Sequence, residues 1–195
     1  MKKKSDMVAE VKVLIEGSTN ADGLAEGEEE RSWPTITLIK DNGLNIVTDP
    51  GTLRNQRLLI DALAKENLTV DTIDMVFLTH SHIDHFRNVG MFPTAKVLEF
   101  YGIWEEDTVE EWKEQFSEDI QIIKTPGHIV NGLTFLVKTK EGVVGVVGDV
   151  FWKENFPEKD EYASDLAKLA ESRKLVLREA DFIIPGHGPL FKVKK

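Results

Sequence analysis

Between Thr35 and Asp49 the chain alternates apolar and polar residues, breaks at Asn42-Gly43, and alternates again. "TITLIKDNGLNIVTD" therefore predicts a strand, a tight hairpin turn and a return strand that ends on Asp49. A helical period follows, with Leu59, Ile60 and Leu63 on one side. It predicts a helix from about Asn55, which can cap its first turn, to about Asn67. The apolar run "MVFLT" then predicts a strand that delivers His80. The same order recurs downstream. "LTFLVKTKEGVVGVVGDV" predicts a second hairpin ending on Asp149, and Tyr162, Leu166, Leu169, Val176 and Ala180 predict an amphipathic helix from about Glu161 to Ala180. "DFIIPGHG" closes the series with a strand that delivers His187.

Each half thus reads hairpin, aspartate, helix, strand, histidine. Two β-rich halves, each with a helix to cover one face, predict an α/β fold. The expected arrangement is a four-layer αβ/βα sandwich of two mixed β-sheets packed face to face, with helices on the outer faces. Further strands are predicted at Val8–Ile15, "KVLEF" (96–100) and "IQIIK" (120–124), and the acidic, aromatic stretch "YGIWEEDTVEEWKEQF" reads as a helical surface element. No linker or low-complexity segment divides the chain, so residues 1–195 are expected to form a single domain.

Composition narrows the chemistry. With 41% hydrophobic and 30% charged residues the chain is globular in character. Lys2, Lys3 and Lys4 are followed by no apolar run, so neither a signal peptide nor a membrane span is expected, and the expected location is cytoplasmic. The net charge of −10 disfavours a nucleic-acid partner. There is no cysteine, so any metal must be held by nitrogen and oxygen.

All five histidines stand at the ends of predicted strands beside turn residues. His80 and His82 are two apart after a strand and point the same way if the chain stays extended. Asp84 and His85 follow them; His128 ends "IIKTPGH" and His187 ends "IIPGH". Neutral imidazole is a common metal ligand and carboxylates complete such sites. His80, His82, Asp84, His85, His128, Asp149 and His187 make seven candidate ligands. That is too many for one tetrahedral ion and suitable for two.

These segments resemble the motifs of the metallo-β-lactamase superfamily. "THSHIDH" is similar to its H-x-H-x-D-H signature, "TPGH" to its third motif, "VVGD" to its fourth, "IPGHGP" to its fifth, and "VTDPG" to its early aspartate motif. The resemblance implies that His80, His82 and His128 hold one ion, that Asp84, His85 and His187 hold a second, and that Asp149 bridges them. It implies that Asp49 orients the metal-binding loop. It also implies two divalent ions, zinc first with iron or manganese open, and a hydroxide between them that attacks an ester, thioester or lactone carbonyl. Asp84 is the candidate to handle the proton.

Lack of cysteine argues against antibiotic hydrolysis as the main role, and the short stretch after His187 points to a compact branch acting on a small-molecule substrate. A phosphodiesterase or nuclease on the same site, and an iron-dependent redox enzyme of the persulfide dioxygenase or flavodiiron type, remain as alternatives. "DHFRN" departs from the family's D-H-x-G-G, and Phe86 and Arg87 are expected to crowd or charge that wall of the site. Trp33, Phe86, Phe151 and Trp152 lie near the motifs and read as core residues rather than binding residues.

Overall fold

A computed structural model describes residues 8–21 and 23–195. The expectation drawn from Lys2, Lys3 and Lys4 lies outside the described residues. The chain begins with β1 (Glu10–Ile15), then β2 (Ser18–Thr19) and β3 (Ser32–Trp33), which pair into a small ribbon. The first predicted hairpin is β4 (Ile36–Asp41) and β5 (Leu44–Thr48). Asn42 and Gly43 turn it at φ of 48° and 87°, left-handed values that asparagine and glycine tolerate. Helix α1 (Arg57–Lys65) crosses back to β6 (Met75–Phe77), which pairs parallel to β5. The N-cap is Gln56, which makes no side-chain bond, and Asn55 Oδ1 accepts the Arg57 N–H at 2.8 Å from one position further out. A single turn, α2 (Ile83–Phe86), precedes β7 (Lys96–Glu99), β8 (Gly102–Glu105) and β9 (Thr108–Glu110). The first sheet has the order β1-β4-β5-β6-β7-β8-β9.

The second sheet comprises β10 (Ile120–Lys124), the hairpin β11 (Leu133–Thr139) and β12 (Gly142–Gly148), then β13 (Phe182–Pro185) and β14 (Phe191–Lys192), in that order. Helix α3 (Leu166–Glu179) makes the crossover from β12 to its parallel neighbour β13. The two halves therefore repeat in space as they repeat in sequence: antiparallel hairpin, helix, parallel strand.

Layering follows from which side chains each strand buries. Ile39, Ile46, Phe77 and Leu98 of the first sheet meet Ile120, Phe135, Val144 and Ile184 of the second in one core between the sheets. Phe77 and Phe135 stack there with centroids 4.7 Å apart. The opposite faces are covered too: Leu59 and Leu63 of α1 pack on Ile36, Val47 and Val76, and Leu169 and Val176 of α3 pack on Leu136, Val147 and Ile183. Strands buried on both faces need near-continuous apolar runs, which explains "MVFL" and "LTFLV". The four-layer αβ/βα arrangement is the one expected. Among the described residues no helix is long and apolar enough to cross a membrane.

Two expectations are corrected. The stretch "YGIWEEDTVEEWKEQF" is not helical: it holds the antiparallel pair β8–β9, which extends the first sheet. Glu106 turns it at φ 53°, and Ile103, Trp104, Thr108 and Val109 are strand-forming types, so strand chemistry outweighs the charge pattern. Its indoles and rings are not idle, since Trp112 donates to the Phe100 carbonyl and Phe116 meets Phe77 edge-on at 5.1 Å. The second helix begins at Leu166 rather than near Glu161, because the Asp165 side chain accepts the Lys168 N–H at 3.0 Å and caps it there. Tyr162 consequently lies off the helix, and Leu166 is exposed while Leu169, Val176 and Ala180 are buried.

Candidate metal centre

The loop after β6 carries four of the candidate ligands, and local bonding explains how. Asp49, the residue after β5, sits at φ 45° and turns its carboxylate toward that loop. Its Oδ1 accepts the Thr79 N–H at 2.8 Å, and its Oδ2 accepts the Thr79 hydroxyl at 2.6 Å and His85 Nδ1–H at 2.9 Å. The turn that follows grips α2 from below: Gly51 N–H donates to the His85 carbonyl at 2.9 Å and Thr52 N–H to the Asp84 carbonyl at 2.7 Å. The loop orientation expected of Asp49 is thus visible as direct bonds.

All seven predicted ligands converge. The donor atoms of His80, His82, His128 and Asp149 lie within 4.8 Å of one another, and so do those of Asp84, His85 and His187. Asp149 stands between the groups. Its Oδ2 is 3.4 Å from His128 Nε2 and 3.9 Å from His80 Nε2, while Oδ1 is 3.3 Å from both His85 Nε2 and His187 Nε2. Each set comes from both halves of the chain.

Four imidazoles are fixed by their outer nitrogen. His187 Nδ1 faces the Trp33 carbonyl at 3.0 Å, an oxygen that can only accept, so Nδ1 carries the proton. His85 Nδ1 donates to Asp49 and His128 Nδ1 to Asp160 Oδ2 at 2.7 Å. His80 Nδ1 meets the Thr79 oxygen at 3.0 Å, and because that hydroxyl donates to Asp49, its lone pair accepts from His80. In the neutral rings, Nε2 of all four then carries a lone pair aimed inward. His82 differs: its Nδ1 points inward, 3.1 Å from His80 Nε2 and 3.0 Å from His128 Nε2.

Electrostatics differ between the two donor groups. Without an ion, burial holds His80 well below the ordinary imidazole value, and His85 lowers it further; burial and His128 lower His82. Burial also acts to lower His85, but the Asp149 and Asp49 carboxylates outweigh it and raise it well above that value. Asp149 is driven well below the carboxylate range by His187 and His85 against the opposing effect of burial. Its Oδ1 is buried with no hydrogen-bond partner. Converging imidazole lone pairs and an unpartnered carboxylate oxygen are what a divalent cation satisfies, so the donor set fits a metal bound by nitrogen and oxygen.

A cavity of about 410 Å³ opens above the ligands. Ile83, Trp152 and Tyr162 give it apolar walls, Thr19, Glu30 and Ser32 come from the N-terminal ribbon, and among the described residues neither lysine nor arginine lines it. Trp152 therefore belongs to the site as well as to the interior, whereas Phe151 is core beneath α3. Phe86 and Arg87 do not line this cavity. Phe86 packs toward the α1 core and a separate pocket of about 160 Å³ beside Tyr101 and Asn131, and Arg87 is exposed.

Four neighbours escaped the sequence reading. Thr79, Ser32, Asp160 and Tyr162 touch the ligands or the cavity, but the last three reach it from segments without a motif. Thr79 alone had a signal, its place between a strand and the first histidine. Ser32 donates to Asp84 Oδ2 at 2.9 Å.

Fold and ligands together define a four-layer αβ/βα protein with a histidine–aspartate cluster able to bind metal. A family model described as the metallo-beta-lactamase superfamily matches residues 34–124. Metallo-beta-lactamase domain-containing protein 1 of Xenopus laevis is 29% identical over 195 residues, covering 95% of this chain and 82% of its own. The chain spans 59–63% of the length of the rat, human and mouse proteins of that name. A "probable metallo-hydrolase" of Methanocaldococcus jannaschii is 31% identical over 159 residues, covering 76% of this chain and 74% of its own. Among solved structures, a Thermotoga maritima chain assigned to the metallo-beta-lactamases aligns with a TM-score of 0.74 at 21% identity over 95% of this chain and 99% of its own. The chain belongs to the metallo-β-lactamase superfamily, and one of its relatives is named a probable metallo-hydrolase.

Proposed function

We propose that this chain is a dinuclear hydrolase of uncharged acyl compounds, an ester, thioester or lactone, working as a single catalytic domain in the cytoplasm. The observation that carries the reading is the convergence of two donor groups on one carboxylate, Asp149, under one apolar-walled cavity. His80, His82 and His128 would hold one ion, Asp84, His85 and His187 the other, and Asp149 would face both. Zinc suits this set of imidazole and carboxylate donors best, with iron and manganese able to replace it. When bound, the ions supply a hydroxide nucleophile near neutral pH and polarise the carbonyl under attack.

The protein's own residues do the remaining work. Trp152, Tyr162 and Ile83 exclude water and pack the acyl group. Asp84 keeps a partly exposed carboxylate at the cavity floor, with Oδ2 accepting from Ser32, and would take the proton released by the attacking hydroxide and return it to the departing alkoxide or thiolate. The lack of a wall lysine or arginine among the described residues favours an uncharged substrate over a phosphodiester, which would find no side-chain cation among them.

Metal analysis joined to a small substrate panel tests this. About two ions per chain are expected from the ligand count, with turnover of esters, thioesters or lactones lost in His82→Ala. One ion at full occupancy sinks the dinuclear assignment. Steady cleavage of bis-p-nitrophenyl phosphate without acyl turnover replaces the substrate class, and oxygen uptake with a persulfide replaces hydrolysis altogether.

A further inference from the structure

Asp160 stands outside every motif, yet its carboxylate is buried against the metal centre. One oxygen, Oδ2, is 2.7 Å from His128 Nδ1, and the other, Oδ1, accepts the Tyr162 backbone N–H at 2.9 Å. The same short segment is fastened to the turn that carries His128. Ser164 N–H donates to the His128 carbonyl and Asp165 N–H to the Gly127 carbonyl, both at 2.9 Å, and the Ser164 hydroxyl donates to the Gly127 carbonyl at 3.0 Å. Tyr162 in turn packs on Trp152, with centroids 5.8 Å apart, in the cavity wall.

We propose that Asp160 is a positioning residue that holds His128 as its Nδ1–H tautomer and, with its second oxygen, holds Tyr162 in the cavity wall. Ion binding at His80, His82 and His128 and the shape of the substrate cavity then depend on each other. The inference rests on the ligand assignment proposed above.

Acceptor counting carries the argument. An ionised carboxylate offers only acceptors, so both groups facing Asp160 must donate, and both are donors: an imidazole N–H and a peptide N–H. In the neutral ring a proton held on Nδ1 leaves the lone pair on Nε2, the form a metal requires. An amide in the same place offers one acceptor and one donor. Turned to accept from His128, it sets its NH2 against the Tyr162 N–H. Turned the other way, it donates to His128 Nδ1 and forces the proton onto Nε2, closing that nitrogen to an ion. Neither orientation serves both neighbours. Because the two demands meet on one side chain, the coupling runs in both directions.

Zinc affinity measured by chelator competition tests this on the full chain, comparing wild type with Asp160→Asn, Asp160→Ala and Tyr162→Ala. Both Asp160 variants are expected to lose about 10- to 100-fold in affinity for one ion, the range seen when an outer partner of a metal-binding imidazole is removed, and to keep the other ion within about threefold. Tyr162→Ala, which spares the backbone N–H, is expected to keep both. Amide exchange supplies the second readout: zinc is expected to slow exchange at Tyr162 and Asp165 in wild type and not in Asp160→Asn. Wild-type affinity for both ions in both Asp160 variants overturns the proposal. So does an equal loss of both ions together with a lower melting temperature of the metal-free protein, which marks general structural damage. If Asp160→Ala fails to fold, Asp160→Asn, equal in volume, decides. None of these readouts uses substrate, so a wild type that binds zinc this way yet hydrolyses nothing defeats the functional reading and leaves the inference standing.

Discussion

Asp49 and Asp149 occupy matching places in the two halves, each following the return strand of a hairpin and preceding a helical crossover to a parallel strand. Their surroundings are opposite. Asp49 accepts three protein hydrogen bonds, from Thr79 twice and His85 once. Asp149 has a buried oxygen with no hydrogen-bond partner, facing two imidazole lone pairs. The difference traces to the residue just before the histidine on the neighbouring strand's loop. In the first half it is Thr79, whose N–H and hydroxyl engage the carboxylate. In the second it is Gly186, where an added Cβ would lie 1.8 Å from Asp149 Oδ1. A side chain that donates makes the aspartate a brace; the absence of one leaves it open to a cation.

Substitutions can break this contrast. The largest effect is expected from Asp149→Ala, which removes the carboxylate both donor groups share. Hydrolysis should fall by at least about 10³-fold, beyond the range of a merely supporting residue, with metal content below two ions by elemental analysis. Gly186→Ala should come next: the methyl group must displace Asp149, and a loss of about 100-fold in kcat is expected, on the scale of a small misplacement at a reacting centre. Retention of full activity there would show that Gly186 is not what keeps Asp149 free. Asp49→Ala should weaken metal binding by about 10- to 100-fold and, unlike Asp149→Ala, should destabilise the metal-free protein by about 3 kcal/mol in urea melts, because Thr79 and His85 lose their buried acceptor. Equal destabilisation by both substitutions would erase the distinction between the two aspartates. Arg87→Ala should change stability by no more than about 0.5 kcal/mol, as befits an exposed residue away from the cavity.

Much of this was legible in the chain itself. The repeated order of hairpin, aspartate, helix, strand and histidine predicted the four layers, and strand-end histidines predicted which side chains converge. Both signals are local: period, turn chemistry and position relative to an apolar run. The stretch around Trp104 was misread because mixed charge reports exposure and not backbone conformation. The helix at residues 166–179 was begun too early because Tyr162 fits an apolar stripe although Asp165 caps the helix after it. Asp160 and Ser32 could not be found this way. Asp160 meets His128 across 32 positions and Ser32 meets Asp84 across 52, and no periodicity encodes such distances.

The bond from His187 Nδ1 to the Trp33 carbonyl joins positions 154 apart. His187 also lies on the loop after β13, 102 positions downstream of His85. The donor group of Asp84, His85 and His187 therefore exists only after β13 has been made and its loop has docked beside His85. While the chain is emerging, His80 and His82 are already present without the partners that complete either group. With the ions held as proposed, metal capture would be tied to the docking of the two halves, and a bound ion would report it.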